Sequence, residues 1–158
     1  MRTHVLRREQ VLPGTPEQVF PFFADARNLE AITPPLLRFE VVTPGDIPMR
    51  VGTLIQYRLA LRGLGVNWLT SIQDWDPPHR FVDVQVRGPY ALWYHTHEFE
   101  PHPDGTLMRD VVRYAIGFGV AGELARRAFV ARDVEAIFDF RRDAVVHRLR
   151  ERVPALAS

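Results

Sequence analysis

Read as a string of apolar and polar positions, the chain changes period three times. His4–Leu12 alternates loosely and predicts a first strand. "PGTPEQVFPFFAD" then opens a helix, with Thr15 placed to cap it, Pro16 suited to its first position and Glu17 at its positive end. Pro21 limits or kinks that helix, and "DARNLEAITPP" predicts a second short helical piece ended by Pro34 and Pro35. The pattern next turns to strands. Leu36–Val42 is predicted as one, followed by "TPGDIPMRVG", a loop rich in turn formers. Thr53–Arg62 alternates, with Ile55, Tyr57, Leu59 and Leu61 on one side; Val66–Trp75, Arg80–Gly88, Gly88–Glu100 and Thr106–Ile116 complete the series. Hairpin-length links, "HPDG" at His102–Gly105 among them, imply an antiparallel, strongly curved sheet.

From Val120 to Arg150 the period becomes helical. Leu124, Ala128, Ala131, Val134, Ile137, Phe138, Val145 and Leu149 form an apolar stripe, and arginines and acids fill the other face. At about 1.5 Å per residue such a helix runs about 45 Å, enough to cross a whole sheet. The predicted fold class is therefore α+β: a strand, two short helices, a run of strands and a long C-terminal helix. About seven strands curve around that helix. A sheet wrapped on a single helix closes poorly at its ends, which leaves room for a cavity between them. Residues 1–152 are expected to form a single domain, and 153–158 ("VPALAS") a frayed tail.

Composition removes several functions. At 46% hydrophobic and 25% charged residues the chain suits a globular protein with a real core. A net charge of +1 offers no basic surface, so no nucleic acid partner is expected. Cysteine is absent, which excludes disulfides, thiolate zinc sites, iron–sulfur clusters and cysteine nucleophiles. All 20 basic residues are arginine, so Schiff-base chemistry, a lysine base and a phosphate-loop lysine are excluded too. "MRTHVLRREQVL" lacks the apolar run of a secretory signal, and no membrane span is expected. The cytoplasm is the expected location.

One strand carries the candidate chemistry. In "GPYALWYHTHEFE", alternate positions put Trp93, His95, His97 and Phe99 on one face. On the returning strand Met108, Asp110, Val112 and Tyr114 share a face. The "DG" hairpin predicts that Phe99 faces Met108, which sets His97 across from Asp110, His95 from Val112 and Trp93 from Tyr114. Arg109, Arg113 and Glu98, on the opposite faces, suit water, so the Trp–His–His–Phe face is the inner one. A slip of one residue reverses that assignment. "RFVDVQVRG" leaves two options open. Either Phe81 points inwards and brings Asp83 and Gln85 with it, or Val82, Val84 and Val86 do and those two are solvated.

From about His4 to Arg150 the chain resembles the START-like, or helix-grip, superfamily (polyketide cyclase/SRPBCC). That superfamily includes polyketide cyclases, plant pathogenesis-related allergens and lipid-transfer domains. More narrowly, "DWDPPHRFVDVQVRGPYALWYHTHEFE", "GTLMRDVVRY" and "IFDFRR" are similar to a bacterial group of single-domain ligand-binding START-like proteins. The resemblance implies the helix-grip fold and a hydrophobic ligand cavity, and it names no ligand. It also favours the option with Phe81 inwards. The interior lining is then Trp68, Thr70, Asp83, Gln85, Trp93, His95, His97, Asp110 and Tyr114.

Buried polar groups must find partners. In one reading they knit strands together, His97 with Asp110 and His95 with Asp83 or Gln85. In a second, compatible reading they orient a small hydrophobic or amphipathic molecule, lipid- or polyketide-like. An enzymatic alternative uses a His–Asp pair as general base in a cyclase- or dehydratase-like reaction on a bound ketide, with His95, His97 and Asp110 as catalytic candidates. An interaction module with a structural polar interior is the remaining alternative. The leading expectation is a non-enzymatic protein that binds a small hydrophobic ligand. His-x-His on one strand is a weak metal signal, and pairing already accounts for both rings, so no metal or cofactor is expected. Arg126, Arg127, Arg132, Arg141, Arg142, Arg148 and Arg150 interleave with acids and read as a solvated face. Ile47, Pro48 and Met49 are either a lid over the cavity mouth or packing on a neighbouring loop.

Overall fold

The computed structural model describes residues 1–152, the side chain of Arg126 excepted. The segment 153–158, expected to fray, lies outside the described residues. The strands are β1 (His4–Leu12), β2 (Glu40–Val41), β3 (Leu54–Leu61), β4 (Leu64–Asp76), β5 (Arg80–Arg87), β6 (Leu92–His102) and β7 (Gly105–Ala115). They form one 7-stranded sheet in the order β1-β7-β6-β5-β4-β3-β2, with every neighbour antiparallel. From β2 to β7 the sheet is a meander, and β1 closes it by pairing with β7. Register shifts in β4 between Leu69 and Thr70 and between Ile72 and Asp74 add to its bend.

Helices α1 (Pro16–Ala24) and α2 (Asn28–Ala31) cap one end; α3 (Gly119–Ala125) follows β7, and α4 (Ala131–Arg152) lies against the sheet. At the start of α1 the Gln18 side chain accepts a hydrogen bond from the Thr15 backbone N–H at 2.9 Å, as a capping box requires. The helix continues through Pro21 to Ala24, and the pair is broken at Asp25 as expected.

Two elements differ from the pattern. Only Glu40–Val41 of the expected Leu36–Val42 strand pairs. Pro34 and Pro35 lack donors and start a 3-10 turn over Pro35–Leu37, after which Arg38 takes a left-handed φ of 45°. The long C-terminal helix is interrupted by a π turn at Arg126–Val130. An extra residue in such a turn rotates one flanking helix against the other by about 100°. The apolar stripe therefore reaches the core only after the turn: Val134, Phe138, Val145 and Leu149 are buried, while Leu124 is 63% exposed.

Three apolar clusters hold the layers together. Phe20, Phe81, Phe99 and Leu149 belong to one, under α1. Leu6, Val112, Tyr114 and Phe138 belong to another, under α4, and Ile55, Tyr57 and Ile72 to a third, on the β3–β4 side. Each large side chain sealed in this way contributes about 1.5–3 kcal/mol. The polar residues of the inner face sit where the three clusters meet.

Candidate functional site

The hairpin register is the expected one: Phe99 faces Met108, His97 faces Asp110, His95 faces Val112 and Trp93 faces Tyr114. On the other side of β6, Phe81 lies across from His97 and Asp83 across from His95. Phe81 and Val82 are both buried, but Phe81 and Asp83 line the inner pocket and Asp83 bonds His97, so this is the face of β5 that points inwards. Two histidines and two carboxylates thus meet on one patch of sheet.

Their hydrogen bonds run diagonally. His95 Nε2 lies 2.7 Å from Asp110 Oδ1, and His97 Nε2 lies 2.7 Å from Asp83 Oδ2. The directly facing pairs are looser, at 3.7 Å for His95 Nδ1 to Asp83 Oδ2 and 3.1 Å for His97 Nδ1 to Asp110 Oδ1. The expected pairs, His97 with Asp110 and His95 with Asp83, are thus present at these longer distances, Gln85 takes no part, and the shortest bonds are the diagonal ones. An imidazole reaches past the residue opposite it, and diagonal neighbours on a sheet lie within range of such side chains. Phe81 stacks on His97 at 4.0 Å and 14°, and Phe138 meets the edge of His95 at 5.5 Å, so both rings are fixed from outside the quartet.

Burial and pairing pull these groups apart electrostatically. Burial, reinforced by the neighbouring His97, pushes His95 below the ordinary histidine pKa. Burial works against a charged His97 as well, but its contacts with Asp110 and Asp83 outweigh that and raise it. Both aspartates are also buried, and the two histidines hold them below the usual carboxylate range despite it.

Above the quartet, between the inner face of the sheet and the helices, lies a pocket of about 150 Å³. Phe22, Leu29, Ile55, Leu59, Trp68 and Ile137 are among its apolar walls, and Thr70, Asp83, His95, His97 and Arg141 supply its polar side. Trp68, Tyr90 and Trp93 form an aromatic corner with ring centroids 4.8 to 5.5 Å apart. Trp68 Nε1 donates to Thr70 Oγ1 at 3.0 Å, which fixes that indole.

The family described as polyketide cyclase / dehydrase and lipid transport matches residues 3–153. The chain belongs to this family. It is a member of the START-like, helix-grip superfamily, as its hairpin motifs and element order suggest. No curated protein matches the chain at a significant level. Among solved structures it is similar to the ZhuI aromatase/cyclase of Streptomyces sp. R1128, with a TM-score of 0.76, 14% identity and coverage of 96% of both chains. It is also similar to a protein of Thermus thermophilus, with a TM-score of 0.63, 24% identity and coverage of 98% of this chain and 100% of that one. A Chromobacterium violaceum protein aligns with a TM-score of 0.71 and 16% identity over 91% of this chain and 96% of its own. At these identities the likeness is one of fold.

Within this member of the polyketide cyclase / dehydrase and lipid transport family, the candidates named from the sequence divide in two. Trp68, Thr70, Asp83, Trp93, His95 and His97 line the pocket. Asp110 lies behind the histidines, Tyr114 packs with Leu6 and Val112, and Gln85 closes the β5–β6 turn through hydrogen bonds with the Tyr90 backbone at 2.7 and 3.2 Å. Ser71 lies outside the lining, hydrogen-bonded by Gln73. Met49 lines the pocket and packs with Ile47 on the Ile55 cluster, so this loop is wall on its inner side.

Sequence reasoning passes over Tyr57, Tyr90, Phe138 and Arg141 as site residues, yet all four line the pocket. Arg141 is the telling omission. Charge alone groups it with the solvated arginines, but its Nε is shielded from solvent and has no hydrogen-bond partner among the described residues. Its guanidinium lies 5.0 Å over the Phe138 ring, and burial lowers its pKa. The signal is present in the chain: Val134, Phe138, Arg141, Val145 and Leu149 follow one helical stripe.

Proposed function

We propose that this chain binds a small hydrophobic or amphipathic molecule, lipid- or polyketide-like, in the pocket between sheet and C-terminal helix. The observation that carries this reading is the shape of the lining: apolar walls with Thr70, Asp83, His95, His97 and Arg141 on one side. A ligand with one oxygen-bearing end suits such a site, its body against Trp68 and Trp93 and its oxygens toward Arg141. The pocket volume of about 150 Å³ matches cavities of about 150 Å³ that hold one benzene ring. The enclosed part of the ligand is therefore a ring or a short chain, and a longer molecule extends past the loop that carries Met49.

Titration with 1-anilinonaphthalene-8-sulfonate, an apolar body bearing an anion, tests this reading. Saturable binding at one site is expected, weakened at least tenfold by Trp93→Ala and by Arg141→Met. Binding that neither substitution alters places the probe elsewhere and sinks the reading.

One observation favours a second reading, a cyclase- or dehydratase-like reaction on a bound ketide. Burial pushes His95 below the ordinary histidine pKa, Asp110 is hydrogen-bonded to one of its nitrogens, and the ring lines the pocket, which suits a general base. Under that reading His95→Gln abolishes turnover of a ketide while the ligand still binds.

A further inference from the structure

Asp110 is not part of the pocket lining; it stands behind both histidines. Its Oδ1 lies 2.7 Å from His95 Nε2, to which it is hydrogen-bonded, and 3.1 Å from His97 Nδ1, so one nitrogen of each ring stands within reach of the same carboxylate. The remaining nitrogens, His95 Nδ1 and His97 Nε2, both face Asp83 Oδ2, at 3.7 and 2.7 Å. Asp83, His95 and His97 each offer a donor atom within 4.8 Å of the others, and all three residues line the pocket.

We propose that Asp83, His95 and His97 form a binding site for a divalent metal ion such as zinc, with Asp110 as the carboxylate that orients both imidazoles. Two imidazoles and one carboxylate make up a recurrent ligand set for zinc and non-haem iron, one that leaves a position open. Donors about 2.1 Å from one ion in a tetrahedral site stand roughly 3.4 Å apart. The separations of 2.7 and 3.7 Å fall on either side of this, so small side-chain rotations complete the geometry.

The outer shell fits as well. A ligating histidine almost always gives its other N–H to a carboxylate, carbonyl or water, and here one carboxylate is hydrogen-bonded to His95 and stands close to the free nitrogen of His97. His97 Nδ1 is buried and makes no hydrogen bond among the described residues, although Asp110 Oδ1 is 3.1 Å away. A slight turn of that ring toward an ion also aligns this bond. The open position faces the pocket, where an ion can polarise a carbonyl or enol oxygen. Asp83 and Asp110 bring two negative charges and Arg141 one positive. A divalent ion leaves the cluster one unit positive, which an anionic oxygen of a bound molecule balances. With an ion in place His95 and His97 are ligands and not bases, so this inference and the general-base reading exclude each other. It does not rest on the identity of any organic ligand.

Chelator-treated protein titrated with zinc chloride, followed by calorimetry, tests the site, and cobalt chloride followed by visible absorption reports its coordination. One ion per chain is expected, with the cobalt spectrum of a low-coordinate nitrogen and oxygen site. Asp83→Asn and His97→Gln should each weaken zinc at least tenfold, and Asp110→Asn about 10–100-fold. Circular dichroism checks that each variant folds; should His97→Gln fail, Asp83→Asn carries the test. Absence of stoichiometric binding overturns the proposal. So does zinc binding indifferent to these substitutions, since it places the ion on a surface pair such as His147 and Glu151. Binding of 1-anilinonaphthalene-8-sulfonate without zinc leaves the pocket reading standing and this one fallen, and zinc without the probe does the reverse.

Discussion

Asp110 shows how one buried carboxylate organises an inner face. Its side chain is 9% exposed, and a carboxylate taken so far out of water survives as an anion only with partners. His95 and His97 supply them, and its pKa stays well below the usual range although burial opposes that. The sign of the pH dependence follows. A group whose pKa is lowered on folding adds stability above its unfolded value, near 4, and loses that contribution as pH falls. Asp110→Asn should cost about 1–3 kcal/mol at neutral pH, because a buried donor loses its anionic acceptor. Urea denaturation across the acid range should show the gap between wild type and variant narrowing below about pH 4. A gap that stays constant with pH would mean that Asp110 acts by shape alone. The facing partners of this cluster were legible in the sequence, because a two-residue turn and strict alternation fix register. The diagonal bonds were not, because alternation says which face a side chain occupies and not which way it leans. Arg141 was lost for a related reason, a charged residue being counted as polar even on a buried stripe.

Among the elements, the β6–β7 hairpin sets the geometry, and Gly105 ties it to β1. Gly105 has a φ of 139°, and a Cβ there would stand 2.1 Å from the Leu12 carbonyl oxygen. Next to it, Thr106 Oγ1 donates to the Gly14 carbonyl at 2.7 Å. Gly105→Ala should therefore lower stability by about 1–3 kcal/mol, read as a fall in thermal midpoint. An unchanged midpoint would show that the end of β1 yields freely. "HPDG" announced the turn, but the approach of β1 is a contact between chain segments distant in sequence, which no local pattern encodes. The same limit explains the helix. Apolar spacing predicted one continuous stripe from Leu124 to Leu149, and the π turn at Arg126–Val130 turns its first part away from the core. The short β2 has a local cause: consecutive prolines at 34 and 35 outweigh the strand preference of the residues after them.

For the molecule as a whole, three apolar clusters leave one polar patch between them, and the pocket opens above it. No helix among the described residues is long and apolar enough to cross a membrane. The fold and the family follow from element order and hairpin motifs, whereas the ligand depends on a volume and a few polar atoms that only packing defines. The central claim, a pocket that holds a small hydrophobic or amphipathic molecule, is tested most directly by native mass spectrometry of freshly purified protein against its denatured mass. The expected result is one organic molecule per chain, released on denaturation and reduced in Trp93→Ala. Native and denatured masses that agree would contradict the claim and leave the polar patch as a device for joining strands.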